Sequence, residues 1–241
     1  DKPSPLCMSL SRETFESNPL EGAAHTEIAI IGGGIAGLAA AIELARRGRK
    51  VTVLEAAKVG HGASGRANGQ VISALTRHGP NALRNIWPGE QAEKFIELVK
   101  GAADNLYAFA DRYSIDCDLS RAGWPQPAHS PGRFKRVSAL AAQWAEAGAP
   151  TGTISHDEMT ERLGTKAYDG GWEHRGGGHI NPYAFTVGLA RGAASEGVAI
   201  YEQSPALNLK RTHTGWQIKT PNGEIHAEKV VLATAAHTGN L

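Results

Sequence analysis

Four residues of this chain have the types and spacing needed to bind two phosphates and a ribose. Three are the glycines Gly32, Gly34 and Gly37 in the run Gly-Gly-Gly-Ile-Ala-Gly. In such a turn the first glycine permits a sharp bend, the second lets the backbone approach a pyrophosphate, and the third lets a helix pack close to a strand. The fourth is Glu55, after 17 intervening residues, which can accept from both ribose hydroxyls. The spacing therefore predicts a dinucleotide site, and the carboxylate disfavours a 2′-phosphate.

The flanking sequence predicts the strand–helix–strand unit that this chemistry requires. Residues 28–31 are an apolar run typical of a buried strand, and an alanine-rich, proline-free helix follows the glycines. Residues 51–54 predict a second strand that ends at Glu55. The helix would direct its free N–H groups and the positive end of its dipole at the phosphates. A glycine turn alone occurs in many loops, but this context favours a ligand.

A small-residue loop, residues 61–70, follows the acid-bearing strand directly. Small side chains allow close backbone approach, so this loop is expected to contact the same ligand. Further along, a Gly-rich run leads into a helix predicted from Pro182 to about Glu196, followed by a strand at residues 198–201. Three runs then alternate by face between turn signals and predict a meander, at residues 206–210, 215–219 and 224–226. A return strand is predicted at residues 229–234. This order favours a flavoprotein over the repeated units of an NAD dehydrogenase.

The element order predicts an α/β fold with a discontinuous Rossmann-like domain, residues 27–72 and 176–241, built from a βαβ unit and a β-meander. Residues 73–175 are expected to form part of an inserted α+β substrate domain. Within it, the apolar residues of the stretch 88–115, among them Phe95, Leu98 and Val99, have the spacing of one face of a helix. Residues 1–26 are polar and predict a mobile or surface-draped leader. Because the chain stops at Leu241 soon after an apolar strand, we expect a fold truncated at its C-terminus.

The composition argues against several classes of protein. The chain has 241 residues, 41% of them hydrophobic, and a formal net charge of +1 without a dense Lys/Arg run, so neither nucleic acid nor an anionic membrane is an expected partner. The two cysteines, Cys7 and Cys117, are too few for a disulfide framework or a metal site, which favours a reducing, cytoplasmic compartment. The longest uncharged run, residues 28–42, is too short for a membrane span. The oligomeric state stays open.

Four segments together carry a specific resemblance. They are residues 30–38 with Glu55, residues 62–66, the run 177–182, and residues 231–234 with Thr238. The chain resembles the D-amino-acid oxidase family of FAD-dependent amine oxidoreductases, in particular its gamma-glutamylputrescine oxidoreductase branch. The resemblance implies FAD in its extended form and a small-molecule amine or amino acid whose C–N bond is oxidised by hydride transfer to the flavin. The turn, the loop and the resemblance together give these cofactor-binding candidates: Gly32, Gly33, Gly34, Ile35, Ala36, Gly37, Glu55, Ala56, Gly62, Ala63, Ser64, Gly65, Arg66, Asn68, Gly69, Gln70, Ala206, Ala233 and Thr234.

The chain departs from the family pattern at several positions. Asn181 stands where the family has a second histidine, which leaves His179 as the one candidate for a catalytic contact. Arg66 stands where some relatives attach the flavin through a histidine, so covalent flavin is disfavoured. By position, Trp124, Trp172 and His174 are candidates for an aromatic substrate pocket, although such residues more often pack a core. Two alternatives remain open: an NAD-dependent dehydrogenase, which Glu55 permits, and a fragment that binds FAD without catalysis.

Overall fold

The computed structural model of this protein describes residues 5–239, so the outermost parts of the predicted leader and of the predicted truncated end, residues 1–4 and 240–241, lie outside it. The strands, in chain order, are β1 (Gly22–Ile31), β2 (Val51–Leu54), β3 (Gln70–Val71), β4 (Trp124–Pro127), β5 (Thr151–Ile154), β6 (Gly171–His174), β7 (Gly178–His179), β8 (Ala199–Tyr201), β9 (Asn208–Thr212), β10 (Gly215–Lys219) and β11 (Gly223–Leu232). The α-helices are α1 (Leu6–Ser9), α2 (Ile35–Arg46), α3 (Pro80–Ile86), α4 (Glu90–Lys100), α5 (Ala102–Arg112), α6 (Pro131–Glu146), α7 (His156–Leu163) and α8 (Pro182–Ser195).

The chain divides into two compact units. The first contains the chain up to Asn68, the segment Phe109–Cys117 and the chain from Asn181 onward, and the second contains Gly69–Ala108 and Asp118–Ile180. The chain therefore crosses between units near residues 68 and 181, a few residues from the boundaries predicted at 72 and 176. The segment Phe109–Cys117, which was expected in the insertion, belongs to the first unit.

The first unit is built on a six-stranded sheet in the order β8-β2-β1-β11-β10-β9. Strand β1 lies between two parallel neighbours, with Ile30 opposite Val53 of β2 and Val231 of β11. All four residues of β2 are buried, as is typical of a parallel strand that is covered on both faces. Helix α2 packs against β1, β2 and α8. The carboxyl ends of β1, β2 and β11 consequently meet at one edge of the sheet.

Strand β11 differs from the prediction. The sequence predicted a meander strand at residues 224–226 and a separate return strand at residues 229–234, whereas Gly223–Leu232 is one continuous strand. Its first half pairs antiparallel with β10, where Ile218 lies opposite Ile225, and its whole length pairs parallel with β1. No glycine or proline interrupts residues 224–232, so the local sequence contains no signal that would end the strand.

The N-terminal segment, residues 5–21, is fixed to the first unit rather than loosely draped. Strand β1 begins at Gly22, five residues before the predicted boundary at residue 27. Leu20 is 2% exposed and packs in the core of the sheet. Glu13 is buried and accepts two hydrogen bonds from the Arg191 guanidinium, at 2.9 and 3.0 Å. The attachment through Glu13 uses a polar side chain, and Leu20 is a single apolar residue, so the polar composition of this segment did not indicate that it is fixed.

The second unit contains the antiparallel sheet β4-β6-β5 and the two-stranded sheet β3-β7. The expected helical face over residues 88–115 is divided between α4 and α5, and its centre is shifted, because Phe95 and Val99 of that face are only partly buried. Ile96 and Ala103 are buried, whereas Leu98 is 63% exposed. Larger apolar residues such as Phe95 pack at the margin of a core formed by Ala74, Leu83, Ile96, Trp124, Ala128, Val137, Ala141, Trp144, Ala149 and Trp172.

Residues 5–239 show neither a membrane-spanning helix nor a metal-binding cluster. No described helix is long and apolar enough to cross a bilayer. Over the same residues, no cluster of three or more His, Cys, Asp or Glu side chains has an arrangement that could hold a metal ion. The described cysteines, Cys7 and Cys117, do not form a disulfide.

Candidate functional site

A cavity of about 580 Å³ lies in the first unit, where β1, β2 and β11 end. Four segments line it: the glycine turn after β1, the loop after β2, residues 205–207 after β8, and residues 233–239 after β11. This volume falls within the range of roughly 300–1,000 Å³ that is usual for small-molecule sites. Ligands of open α/β sheets bind beyond the carboxyl ends of the strands, so this cavity has the expected position for a nucleotide.

The glycine turn needs its glycines for packing. Gly32 has a φ of +117°, which side chains rarely tolerate, and a Cβ there would lie 2.5 Å from the carbonyl oxygen of Ala233. A Cβ on Gly37 would overlap the carbonyl oxygen of Gly32. The turn therefore closes tightly against α2 on one side and against the end of β11 on the other. This is the close helix–strand approach that the third glycine was expected to allow.

Glu55 ties the glycine turn to the loop after β2. Its Oε2 accepts from the N–H of Gly33 at 2.8 Å, and its Oε1 accepts from the N–H of Ala57 at 3.0 Å. Each carboxylate oxygen has a second lone pair and can still accept from a ribose hydroxyl. Glu55 thus orders the walls of the cavity as well as presenting an acceptor to a ligand. The sequence predicted the second of these roles and not the first.

Helix α2 begins at the floor of the cavity. Its N-cap is Gly34, which offers no side chain to the first N–H groups, and the N–H of Ile35 donates instead to Oγ of Ser64 at 3.1 Å. A Cβ on Gly34 would lie 2.8 Å from that oxygen, so glycine is needed for the approach of Ser64. The Ser64 hydroxyl can still donate its own hydrogen. The helix start and this hydroxyl together form a suitable environment for a phosphate.

Many of the predicted cofactor-binding residues are brought together at the cavity. Those that line it are Gly32, Gly33, Gly34, Glu55, Ala56, Gly62, Ala63, Ser64, Ala206, Ala233 and Thr234. Other candidates lie in neighbouring elements without lining it: Ile35, Ala36 and Gly37 in α2, Gly65 and Arg66 in the short 3-10 helix Ala63–Arg66, and Asn68 beyond that helix. Gly69 and Gln70 belong to the second unit.

The cavity also has lining residues that sequence reasoning missed. They include Gly60, Pro205, Leu207 and His237, whereas His61 lies in the loop that was expected to contact the ligand and Thr238 belongs to the family resemblance. Arg66 braces this wall, since its Nε donates to the backbone oxygen of His61 at 2.8 Å. Most of these residues lie next to predicted cofactor-binding residues in the chain, and this adjacency was the one sequence signal that could have identified them. None of their types alone indicates nucleotide binding.

The remaining candidates lie in the second unit. His179 is exposed on β7, opposite Gln70. Trp172 is fully buried and His174 is 2% exposed, so neither side chain offers a surface to a substrate. Trp124 packs edge-on against Trp172 at a centroid distance of 5.7 Å. These three residues form core rather than the expected aromatic pocket, because β4 and β6 turn them towards the helices that cover the sheet.

His174 is unusual among core residues. Burial lowers the pKa of its imidazole below the ordinary value of 6.5. Neither ring nitrogen has a hydrogen-bond partner among the described residues. A buried polar group without a partner is costly, and the cost would rise if the ring gained a proton. The second unit therefore contains a group that opposes folding more strongly when it is protonated than when it is neutral.

Comparisons with known proteins are consistent with this geometry. Residues 27–241 match the family model described as DAO, FAD dependent oxidoreductase. The chain is 30% identical over 230 residues to the probable oxidoreductase OrdL of Haemophilus influenzae, covering 93% of this chain and 52% of that protein. It is 26% identical over 215 residues to gamma-glutamylputrescine oxidoreductase of Escherichia coli, covering 89% and 50%. The crystal structure of glycine oxidase from Geobacillus kaustophilus aligns with a TM-score of 0.70 at 27% identity, covering 87% of this chain and 55% of that one. The chain thus spans about half the length of the curated relatives it matches.

Proposed function

This chain belongs to the DAO family of FAD dependent oxidoreductases, and on that premise we propose that it forms the cofactor-binding part of an enzyme that oxidises the C–N bond of an amine or amino acid. The observation that carries the proposal is the cavity in which the glycine turn, the start of α2 and Glu55 converge. These groups fit the adenosine diphosphate part of FAD, since they combine phosphate donors with a ribose acceptor.

Each part of the adenosine diphosphate moiety of FAD has a corresponding group in the cavity. The turn at Gly32–Gly34 and the start of α2 would hold the pyrophosphate, with the Ser64 hydroxyl as a further donor. Glu55 would accept from the ribose. The apolar residues Leu54, Ala206 and Leu207 line the same cavity and would bind the face of the adenine ring.

When bound, FAD supplies a two-electron acceptor for hydride. The amine carbon would give up the hydride and its nitrogen a proton, and water would then hydrolyse the resulting imine to a carbonyl compound with release of ammonia or an amine. An ammonium has no lone pair to assist this loss, so the enzyme has to bind the substrate as a neutral amine. His179 stays a candidate for a contact with substrate or flavin.

For the substrate, we propose a gamma-glutamylputrescine-like amine. The support is the four-segment resemblance and the 26% identity to the E. coli enzyme of that name. Amino acids are the second class to test, because glycine oxidase is among the similar proteins.

The first test is the absorbance spectrum of the purified chain, before and after denaturation, followed by titration of the apo chain with FAD and with NAD. We expect flavin bands, and release of the flavin on denaturation because no covalent bond is predicted. Bleaching on addition of gamma-glutamylputrescine, but not of glycine, would support the proposed substrate. Binding of NAD in place of FAD, or of neither nucleotide, would refute the proposal. Binding of FAD without bleaching by any amine would reject catalysis by this chain alone.

A further inference from the structure

Glu202 is a buried carboxylate that the dinucleotide site described above does not use. It follows β8 in the first unit, and 1% of its surface is exposed. Its Oε1 accepts from the N–H of Val59 at 2.7 Å, and its Oε2 accepts from the N–H of Ser17 at 3.1 Å and from Nζ of Lys58 at 3.0 Å. The hydrogen bond to Glu202 raises the pKa of Lys58. A charge is buried at tolerable cost only when it is paired in this way.

The contact with Val59 fixes one wall of the cavity. Backbone pairing between the loop after β2 and the segment after β8 reaches as far as Ala57, whose carbonyl accepts from the N–H of Gln203 at 2.9 Å. Glu202 extends the attachment by two residues to Val59, and the next residues, Gly60 and His61, line the cavity. The position of this wall therefore depends on a side chain and not on the backbone ladder alone.

The contact with Ser17 connects the same carboxylate to the N-terminal segment. The exchange is reciprocal, because the N–H of Glu202 donates to Oγ of Ser17 at 3.0 Å. Three residues later, the N–H of Leu20 donates to Oγ of Ser204 at 2.9 Å. Ser204 directly precedes residues 205–207, which line the cavity. A segment that precedes the family match at residue 27 thus supports two parts of the cavity lining.

We propose that Glu202 is a positioning residue for the FAD cavity, which holds the wall at Val59–His61 in place and couples it to the N-terminal segment. This inference rests on the proposed function. It predicts that loss of the carboxylate weakens FAD binding through the loop, without removing any group that contacts the cofactor.

The test is Glu202→Gln, which preserves size but replaces one acceptor oxygen with an NH₂ group. We expect the Kd for FAD to rise about tenfold, the effect of losing one charge-assisted hydrogen bond. Amide hydrogen exchange at residues 57–61 should accelerate in the apo chain. The matched control is Glu173→Gln, another buried carboxylate, paired with Arg162 and Arg175 in the second unit. It should lose stability without changing the Kd for FAD or exchange at residues 57–61.

If Glu202→Gln does not fold, Ser17→Ala removes only the hydroxyl that accepts from the Glu202 N–H, and should shift both measurements in the same direction by a smaller factor. An unchanged Kd in a folded variant would overturn the proposal. So would an equal rise of the Kd in Glu173→Gln, since that would reflect general stability. A wild-type chain that binds no FAD would refute the proposed function, and exchange at Val59 would then decide by itself whether Glu202 fixes the wall.

Discussion

Replacing Glu55 with glutamine should weaken FAD binding by an order of magnitude or more. Glutamine has the shape of glutamate but a single acceptor oxygen and no charge. In the folded chain both carboxylate oxygens are engaged, one with the N–H of Gly33 and the other with the N–H of Ala57. After the substitution, one of these N–H groups faces an NH₂ group. The variant therefore weakens the junction between the glycine turn and the loop, and it also removes the acceptor that we propose for the ribose.

The size of the effect follows from these contacts. A hydrogen bond to a charged group contributes about 1.5–3 kcal/mol, and each 1.4 kcal/mol changes an equilibrium constant tenfold. The loss of one such bond predicts a Kd for FAD that rises roughly 10- to 100-fold. Glu55 is only half-buried, so water compensates part of the loss, and we expect a value near the lower end.

The assay is a titration of the apo chain followed by quenching of flavin fluorescence, with urea unfolding of the same sample without FAD. The matched control is Glu224→Gln. Glu224 accepts from Nε2 of Gln217 at 2.7 Å and pairs with His226 at 2.8 Å, and it does not line the cavity. The control should bind FAD as the wild type does. Wild-type affinity in Glu55→Gln would refute the assignment of Glu55 to the ribose.

Three further substitutions test the packing described above, each by urea unfolding. Gly37→Ala should destabilise the chain by about 1–3 kcal/mol because its Cβ overlaps the Gly32 carbonyl oxygen. The control Gly132→Ala, whose Cβ meets nothing within 4 Å, should leave the free energy of unfolding unchanged. An equal loss of stability in both variants would show that the overlap at Gly37 is not the cause. Between pH 7.5 and pH 5 the wild-type chain should lose stability, and His174→Phe should reduce this loss. Burial lowers the pKa of His174 in the folded chain, so the unfolded chain takes up the proton first and the free energy of unfolding falls as the pH drops below about 6.5. An identical slope in the variant would assign the pH dependence to other groups. Glu13→Ala should cost about 1.5–3 kcal/mol, since Glu13 is the buried acceptor for Arg191; an unchanged midpoint would show that this contact does not hold the N-terminal segment.

Local signals explain what the sequence predicted well. The strand Val51–Leu54 was predicted with its observed bounds, and α8 begins at Pro182 as expected, because apolar runs, turns and helix starts are short-range features. The family resemblance and the α/β fold class are likewise confirmed. The convergence of the glycine turn with Glu55 follows from parallel strands ending at one edge of a sheet.

Long-range contacts account for what was not predicted. The continuity of β11 depends on pairing with β1, which alternation within residues 223–232 does not reveal. Similarly, Glu202 is in sequence an ordinary charged residue after a strand. Its burial is set by Ser17 and Lys58, which lie 185 and 144 residues away. The aromatic candidates Trp124 and Trp172 could not be assigned between core and pocket until the covering helices were known.

The pairing of β1 with β11 also has a consequence for biosynthesis. Gly22 is opposite Gly223, so the central strand meets one of its two partners only after 201 further residues have been made. At about 5–20 residues per second, that interval lasts roughly 10–40 s. Throughout it, one edge of β1 has no native neighbour, and an open edge next to apolar residues such as Ile30 is a template for pairing with other chains. The sheet that holds the cofactor cavity therefore closes only after β11 has been made, and until then the nascent chain presents an edge that is open to aggregation.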